Sequence, residues 1–494
     1  MRIYNQGSFC GKNILVTDTL KLSESECQNF FSQFNFLELV REICSLSSNL
    51  FLSEKVEQFK DVPYTDRTLC EAVILAAKYA RNEKLTAPSD DGLRLILRIA
   101  SGEEEKNLLK HSDALEMMTL VSYEQFRGSP MHMVSRAWCL FTDAWPSRNT
   151  IQPLTEIESI VGISYRSILF FAMAALKNGY LFPYENPSEL SSFFGENLQE
   201  DSHLKFLDYF SSKKADWINR TVPPAYISRP ILNSEEIPVG KNKVAYFVPA
   251  VNYLYARVTT GIYHDLSNHY NNGAKRNLFR EEFGYAFENY VGMLLDYYLT
   301  SFEISREIVY GKGQNKTVDF FLKKDNELIL VEVKQSGIFS SAKFLGDHRC
   351  ASNNLKNSVG KAIKQIRATK NLIANGLQEL SAYKNCSVVH SLVVLYDHLY
   401  NANSICKDLL RSEYGKLDDI SIINISELES FLDLQCQNQD FIEILKNKAV
   451  NYPTYDFNEL WAHFYKNRVD SKTFLKKYYE QVVSLKGKSE VSVG

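Results

Sequence analysis

Apolar residues recur at helical spacing through the first two hundred positions, where short polar breaks separate stripes such as those over residues 70–79 and 90–99. This pattern, running from Ser23 to about Lys214, predicts a mostly α-helical half. Five prolines then fall at 223, 224, 230, 238 and 249. Each removes an amide donor and fixes φ, so this stretch predicts extended junction chain rather than helix. After the polar run HDLSNHYNNGAKRN the period changes again. One helix, several strands rich in β-branched and aromatic residues, another helix and another strand are predicted. Beyond Asn401 the pattern is mainly helical, with segments at 457–466 and 473–483 and one strand at 420–425. The expected architecture is α+β and multidomain: a helical N-terminal domain (1–222), a Pro-rich junction (223–262), an α/β core with a mixed central sheet flanked by helices (263–400), and a mainly helical C-terminal extension (401–494).

Composition narrows this only in part. The 494 residues are 45% hydrophobic and 23% charged, which suits a globular chain of several domains and excludes disorder, collagen and coiled coil. With 56 basic against 59 acidic side chains, a polyanion must be met by a local basic patch rather than by the field of the whole molecule. The nine cysteines include no CxxC pair and the nine histidines no HExxH or HxH, so zinc is not the expected metal. Scattered thiols, a start without an apolar leader, and a longest apolar run of only 9 residues (168–176) lead us to expect a cytoplasmic protein without a membrane span. The 28 tyrosines and 30 phenylalanines sit at helical spacing and read as core.

The chemistry concentrates in TVDFFLKKDNELILVEVKQSG, residues 317–337. Two alternating apolar runs flank Asp325-Asn326, which predicts a β-hairpin with a two-residue turn. Pairing Lys324 with Glu327 sets Asp319 opposite Glu332 and Thr317 opposite Lys334. Strand alternation then puts Asp319, Glu332 and Lys334 on one face and Val318, Phe320, Ile329, Val331 and Val333 on the other. Facing carboxylates repel unless a cation or a proton lies between them. Mg²⁺ prefers hard oxygen ligands and keeps several waters, so one Asp and one Glu are a natural protein share. Lys334 is then placed to reach the attacking water or a phosphate oxygen, as phosphodiester hydrolysis requires.

On these residues the segment resembles the PD-(D/E)XK nuclease superfamily, through Asp319 and Glu332-Val333-Lys334. Val318 stands where the family name has Pro. The resemblance covers roughly residues 275–400 and implies a restriction-endonuclease-like core. The helix over 277–295 is similar to the family's first core helix, which makes Glu288 the matching acid, with Glu281 the weaker alternative. Gly284, Glu288 and Gly292 share one helical stripe that lets the backbone approach the sheet. In NSVGKAIKQIRATKNLI, similar to the second core helix, Gln365 is the matching residue, and the strand after it is expected at 387–396. The resemblance implies a Mg²⁺-dependent DNA endonuclease, with Mn²⁺ as a substitute and RNA as the other possible substrate. Asp319, Glu332 and the Val333 carbonyl would hold the metal. Lys334 would orient or deprotonate water, Glu288 would support the metal, and Gln365 would position water or phosphate. Restriction-type and phage-defence nucleases join this core to unrelated helical domains, so an antiviral defence role is the expected setting by analogy, with the helical domain regulating, assembling or pairing the protein. The contrasting expectation is a non-catalytic nucleic-acid-binding or scaffold protein that keeps the fold.

Lys343, Arg349, Lys356, Lys361, Lys364, Arg367 and Lys370 against Asp347 alone form a basic stretch, which either holds a nucleic-acid backbone or is a solvated helix face. His348 lies beside it and reads as an exposed polar residue rather than a substrate contact. Residues 154–181 have the outline of a helix-turn-helix, but the second helix is apolar nearly all round and reads better as buried; Glu104-Glu105-Lys106 repeats the Glu-x-Lys spacing on what reads as a solvated helix face.

Overall fold

The computed structural model describes residues 7–9, 12–14, 19–52, 64–82, 86–108, 129–175, 180–181, 201–219, 222–234, 246–271, 277–312, 315–335, 348–399, 402–465 and 467–483. The chain is α+β. Its central sheet has five strands in chain order: β1 (Glu303–Arg306), β2 (Phe320–Lys324), β3 (Glu327–Lys334), β4 (Ser387–Leu395) and β5 (Ile420–Asn424). The first three form an antiparallel meander, and β3, β4 and β5 run parallel. A long helix, α1 (Leu278–Tyr298), precedes the sheet, and α2 (Lys361–Ala374) is the crossover from β3 to β4. A parallel pair needs such a crossover, and it places the start of α2 at the end of the sheet where β3 finishes.

Both faces of β3 are covered, which explains its nearly continuous apolar run. Phe320, Leu322, Ile329, Val331 and Val333 join a core with Phe283, Phe287, Tyr290, Val291 and Leu294 of α1. The same core takes in the helices Pro130–Phe141, Tyr165–Ala174 and Val251–Val258, then α3 (Ile425–Asp433) and α4 (Thr473–Val483). On the other face, Phe321, Leu328 and Leu330 pack with Val359, Ile363 and Ile366 of the crossover segment. A separate core joins Glu24–Phe31, Phe36–Leu52, Asp66–Tyr79 and Asp90–Leu108 to Trp217, Tyr226, Leu232, Phe247 and Tyr253. The helical half thus feeds two cores, and one of them is the core beneath the sheet.

A buried ion cluster ties these pieces together. Arg136 donates through Nε and Nη2 to Glu429 of α3 at 2.5 and 2.6 Å, and Tyr290 of α1 donates to the same carboxylate at 2.6 Å. Burial raises the Glu429 pKa, but the Arg136 guanidinium overrides it and holds the group down at about 2.

Candidate active site

The hairpin turns at Asp325, whose φ of +54° lies in the left-handed region that aspartate tolerates. The β2/β3 ladder runs from Lys324↔Glu327 to Phe320↔Val331 and stops there. Asp319 falls one residue outside the strand, and its Oδ2 accepts from the Val333 amide at 2.6 Å. A side chain thus takes the place of the next ladder bond, and the strands part at Asp319 and Glu332. The preceding residues are held by α2: Gln365 Nε2 donates to the Thr317 carbonyl at 2.6 Å, and the Val318 amide donates to Thr369 Oγ1 at 3.1 Å. This corrects the expected position of Val318. Drawn toward the crossover helix, it packs with Phe321 and Leu330 rather than with Phe320.

Glu332 is fully buried. Lys334 Nζ donates to its Oε1, while Oε2 is enclosed with no hydrogen-bond partner among the described residues. Burial, and then the neighbouring Asp319 charge, push the Glu332 pKa up to about 8 against the pull of Lys334. Burial likewise lifts Asp319 to about 7, opposed by Lys334 and the Val333 amide and reinforced by Glu288 and Glu307. Two adjacent carboxyls therefore lie in a setting that favours a proton, or an equivalent cation, over two bare charges. Among the described residues no group of three or more His, Cys, Asp or Glu side chains is arranged to hold a metal. The donor set is instead two hard carboxylates with one unpartnered oxygen, which fits an ion that retains most of its waters.

Glu288 is half-buried on α1, and its charge, like that of Glu307, reaches Asp319. Its own pKa is raised by burial and then by Glu307, against Arg306, Lys316 and Arg148. The glycines beside it have separate tasks. A Cβ at Gly292 would lie 2.6 Å from Arg306 Nη2, and one at Gly284 would lie 3.3 Å from Gln335 Nε2, so each makes room for a side chain from the end of a strand. Gln335 spans the gap by donating to the Arg280 carbonyl.

The basic stretch is divided. Lys356 and Lys364 approach Glu413 at 3.2 and 3.9 Å, Lys370 pairs with Asp419, and Arg367 donates to the Lys416 carbonyl at 2.7 Å. These cations thus face the segment carrying the helix Lys407–Tyr414. Arg349 and Lys361 are exposed and make no ion pair with another described residue. Lys343 and the His348 side chain lie outside the described residues. The helix-turn-helix outline is spent on packing: Tyr165 is buried and donates to the Val258 carbonyl, and Arg166 donates to the Val482 carbonyl. Glu104 is partly buried and accepts from Thr68 at 3.0 Å, so it is not the solvated acid expected. No single described helix is long and apolar enough to cross a membrane; the bent pair Pro153–Val161 and Tyr165–Ala174 passes the same test by length and composition together, and Tyr165, Ile168, Leu169, Phe171 and Ala172 of its second helix are buried in the core.

Sequence reading passed over Glu282. Its carboxylate accepts from the Thr150 amide and hydroxyl at 2.9 and 2.7 Å and from the Ile151 amide at 2.9 Å, clamping a loop of the helical half onto α1. The available signal was an acid set among Phe279, Phe283 and Ala286 on an apolar stripe. No family model matches this chain, and no curated protein or solved structure matches it.

Proposed function

We propose that this chain is a Mg²⁺-dependent nuclease that hydrolyses phosphodiester bonds of DNA, built on a PD-(D/E)XK-type core. The observation that carries the reading is the buried Glu332 carboxylate, with one oxygen unpartnered, beside Asp319 and under Lys334. A buried acid in that state is costly unless a cation meets it, and a structural role alone gives no reason to place a second acid next to it. The order helix, three-strand meander, crossover helix, parallel strand supports the same reading. Asp319, Glu332 and the Val333 carbonyl would hold Mg²⁺ or Mn²⁺, whose bound charge stabilises the pentacovalent phosphate as it forms. Lys334, held against Glu332, orients the attacking water, and its positive charge eases release of the water's proton to solvent. Glu288 adds negative charge beside Asp319, and Gln365, through the Thr317 carbonyl, fixes the segment from which Asp319 projects.

The test is cleavage of linear, circular and single-stranded DNA and of RNA by the full chain in Mg²⁺, Mn²⁺ and EDTA. Cleavage that EDTA stops, and that Glu332→Ala and Lys334→Ala abolish with circular dichroism unchanged, is the expected result. Nucleic-acid binding without cleavage of any substrate would instead identify a non-catalytic binder.

A further inference from the structure

Residues 144–151, between the helices Pro130–Phe141 and Pro153–Val161, are fastened to α1 from both sides. Asn289 Nδ2 donates to the Ala144 carbonyl at 3.0 Å, and Asn149 Nδ2 donates to the Glu282 carbonyl at 3.1 Å. With the three bonds accepted by the Glu282 carboxylate, the loop is held in one place. What it presents there is Arg148. The guanidinium carbon sits 4.5 Å from the centroid of the Tyr285 ring, and Tyr285 is 43% exposed. Tyr285 and Glu288 are three residues apart and so share a face of α1. An exposed aromatic ring and an exposed guanidinium, both rigidly backed, therefore stand one helical turn from the candidate active site.

Aromatic side chains and arginine planes together make the stacking platforms on which unpaired bases rest, with the guanidinium also able to meet a phosphate. Bases inside a duplex are stacked on one another and cannot use such a platform. A duplex backbone needs many phosphate contacts instead, and Lys356, Lys364 and Lys370 on the crossover segment are already paired with acids. We propose that Arg148 and Tyr285 form a docking platform for one unpaired nucleotide of a single-stranded nucleic acid, next to the phosphate that is cut. The helical half of the chain thereby supplies one wall of the substrate site. This deepens the nuclease reading and rests on it for the words "that is cut", but the binding step is testable alone.

The experiment uses the full chain in Ca²⁺ with fluorescein-labelled twelve-nucleotide DNA and RNA strands, one carrying 2-aminopurine, and a blunt duplex of the same sequence. Expected are tighter binding of single strand than of duplex, quenching of 2-aminopurine, and a loss of single-strand affinity of roughly five- to a hundred-fold in Tyr285→Ala. Tyr285→Phe should restore both affinity and quenching, and Arg148→Ala should weaken binding in the same way; neither side chain is buried, so the variants fold. Single-strand affinity within twofold of wild type in Tyr285→Ala, or preference for the blunt duplex, overturns the proposal. If the strands bind as described and nothing is cleaved in Mg²⁺, the platform stands and the nuclease reading falls. If cleavage in Mg²⁺ is intact and Tyr285→Ala is silent in binding and in KM, the platform falls and the nuclease reading stands.

Discussion

Glu332→Gln is expected to stabilise the metal-free protein at alkaline pH. The carboxyl is fully buried and its pKa rises from 4.5 to about 8 on folding. A folded-state pKa above the unfolded one means that the contribution to stability is fully present below pH 4.5 and is lost as pH rises toward 8. Each unit in which the folded chain keeps a proton that the unfolded chain has released costs about 1.4 kcal/mol. Between pH 5 and 8 Glu332 alone therefore withdraws about 4 kcal/mol. Asp319, raised to about 7, works in the same direction through the repulsion the two share, so the pair is not counted twice. The amide of Gln has the same shape, still accepts from Lys334 and carries no charge to lose. Urea midpoints followed by tryptophan fluorescence at pH 5, 6, 7 and 8 in EDTA should fall steeply for wild type and much less for Glu332→Gln. At pH 8, millimolar Mg²⁺ should restore wild type and leave Glu332→Gln unmoved, because ligand that binds only the folded state adds stability in proportion to its affinity. Parallel pH profiles for the two proteins would refute the claim that this carboxylate is strained, and with it the argument that it awaits a cation.

Two further outcomes concern the frame around the site. Arg136→Ala strands Glu429 in the core without its guanidinium and should cost about 3–5 kcal/mol near pH 7, read as a lowered urea midpoint. Since Glu429 is held at about 2 in the folded chain, its contribution is present above pH 4.5 and fades as pH falls toward 2, so the gap between variant and wild type should narrow in acid. Gly102→Ala would set a Cβ 2.4 Å from the Leu20 carbonyl oxygen, a main-chain atom that cannot step aside, and should cost about 1–3 kcal/mol; Gly92→Ala, whose nearest neighbour would be Ser89 Oγ at 3.4 Å, is the control.

The hairpin was legible because a two-residue turn fixes register, and the pairing inferred from Asp325-Asn326 is the one found up to Phe320↔Val331. What lies one step further was not. The ladder ends there because Asp319 bonds the Val333 amide through its side chain, and strand periodicity carries no information about a carboxylate replacing a carbonyl. Helix α1 was equally readable, since Phe283, Tyr290, Val291 and Leu294 are all fully buried as their spacing demands. Its partners were hidden: an amphipathic stripe shows that a face is covered and not by what, so the packing of residues 130–175 and 423–482 onto the sheet could not be foreseen. The ion pairing of the basic stretch was hidden for a related reason. Local charge counting sees Lys356, Lys364 and Lys370 but not Glu413 and Asp419, which the fold brings back from the next helix and the start of β5.

The same termination of the ladder explains why two acids survive inside a sheet at all. A buried central strand selects apolar residues on both faces, and Leu328, Leu330 and Glu332 lie in one line on the face beneath α2. The first two positions are sealed by the paired strand β2 and by α2. The third lies past the last β2/β3 pair, where Asp319 has left the ladder and Lys334 closes over only one of the two Glu332 oxygens. Gln365 and Thr369 keep that gap from closing, because their bonds to residues 317 and 318 hold the incoming chain toward the crossover helix. The acidic pair is thus confined to the single point where strand pairing gives way to side-chain pairing. A neutral substitute at 332 would suit the core better, so on the proposed reading the acid at this position is accounted for by the cation it would hold.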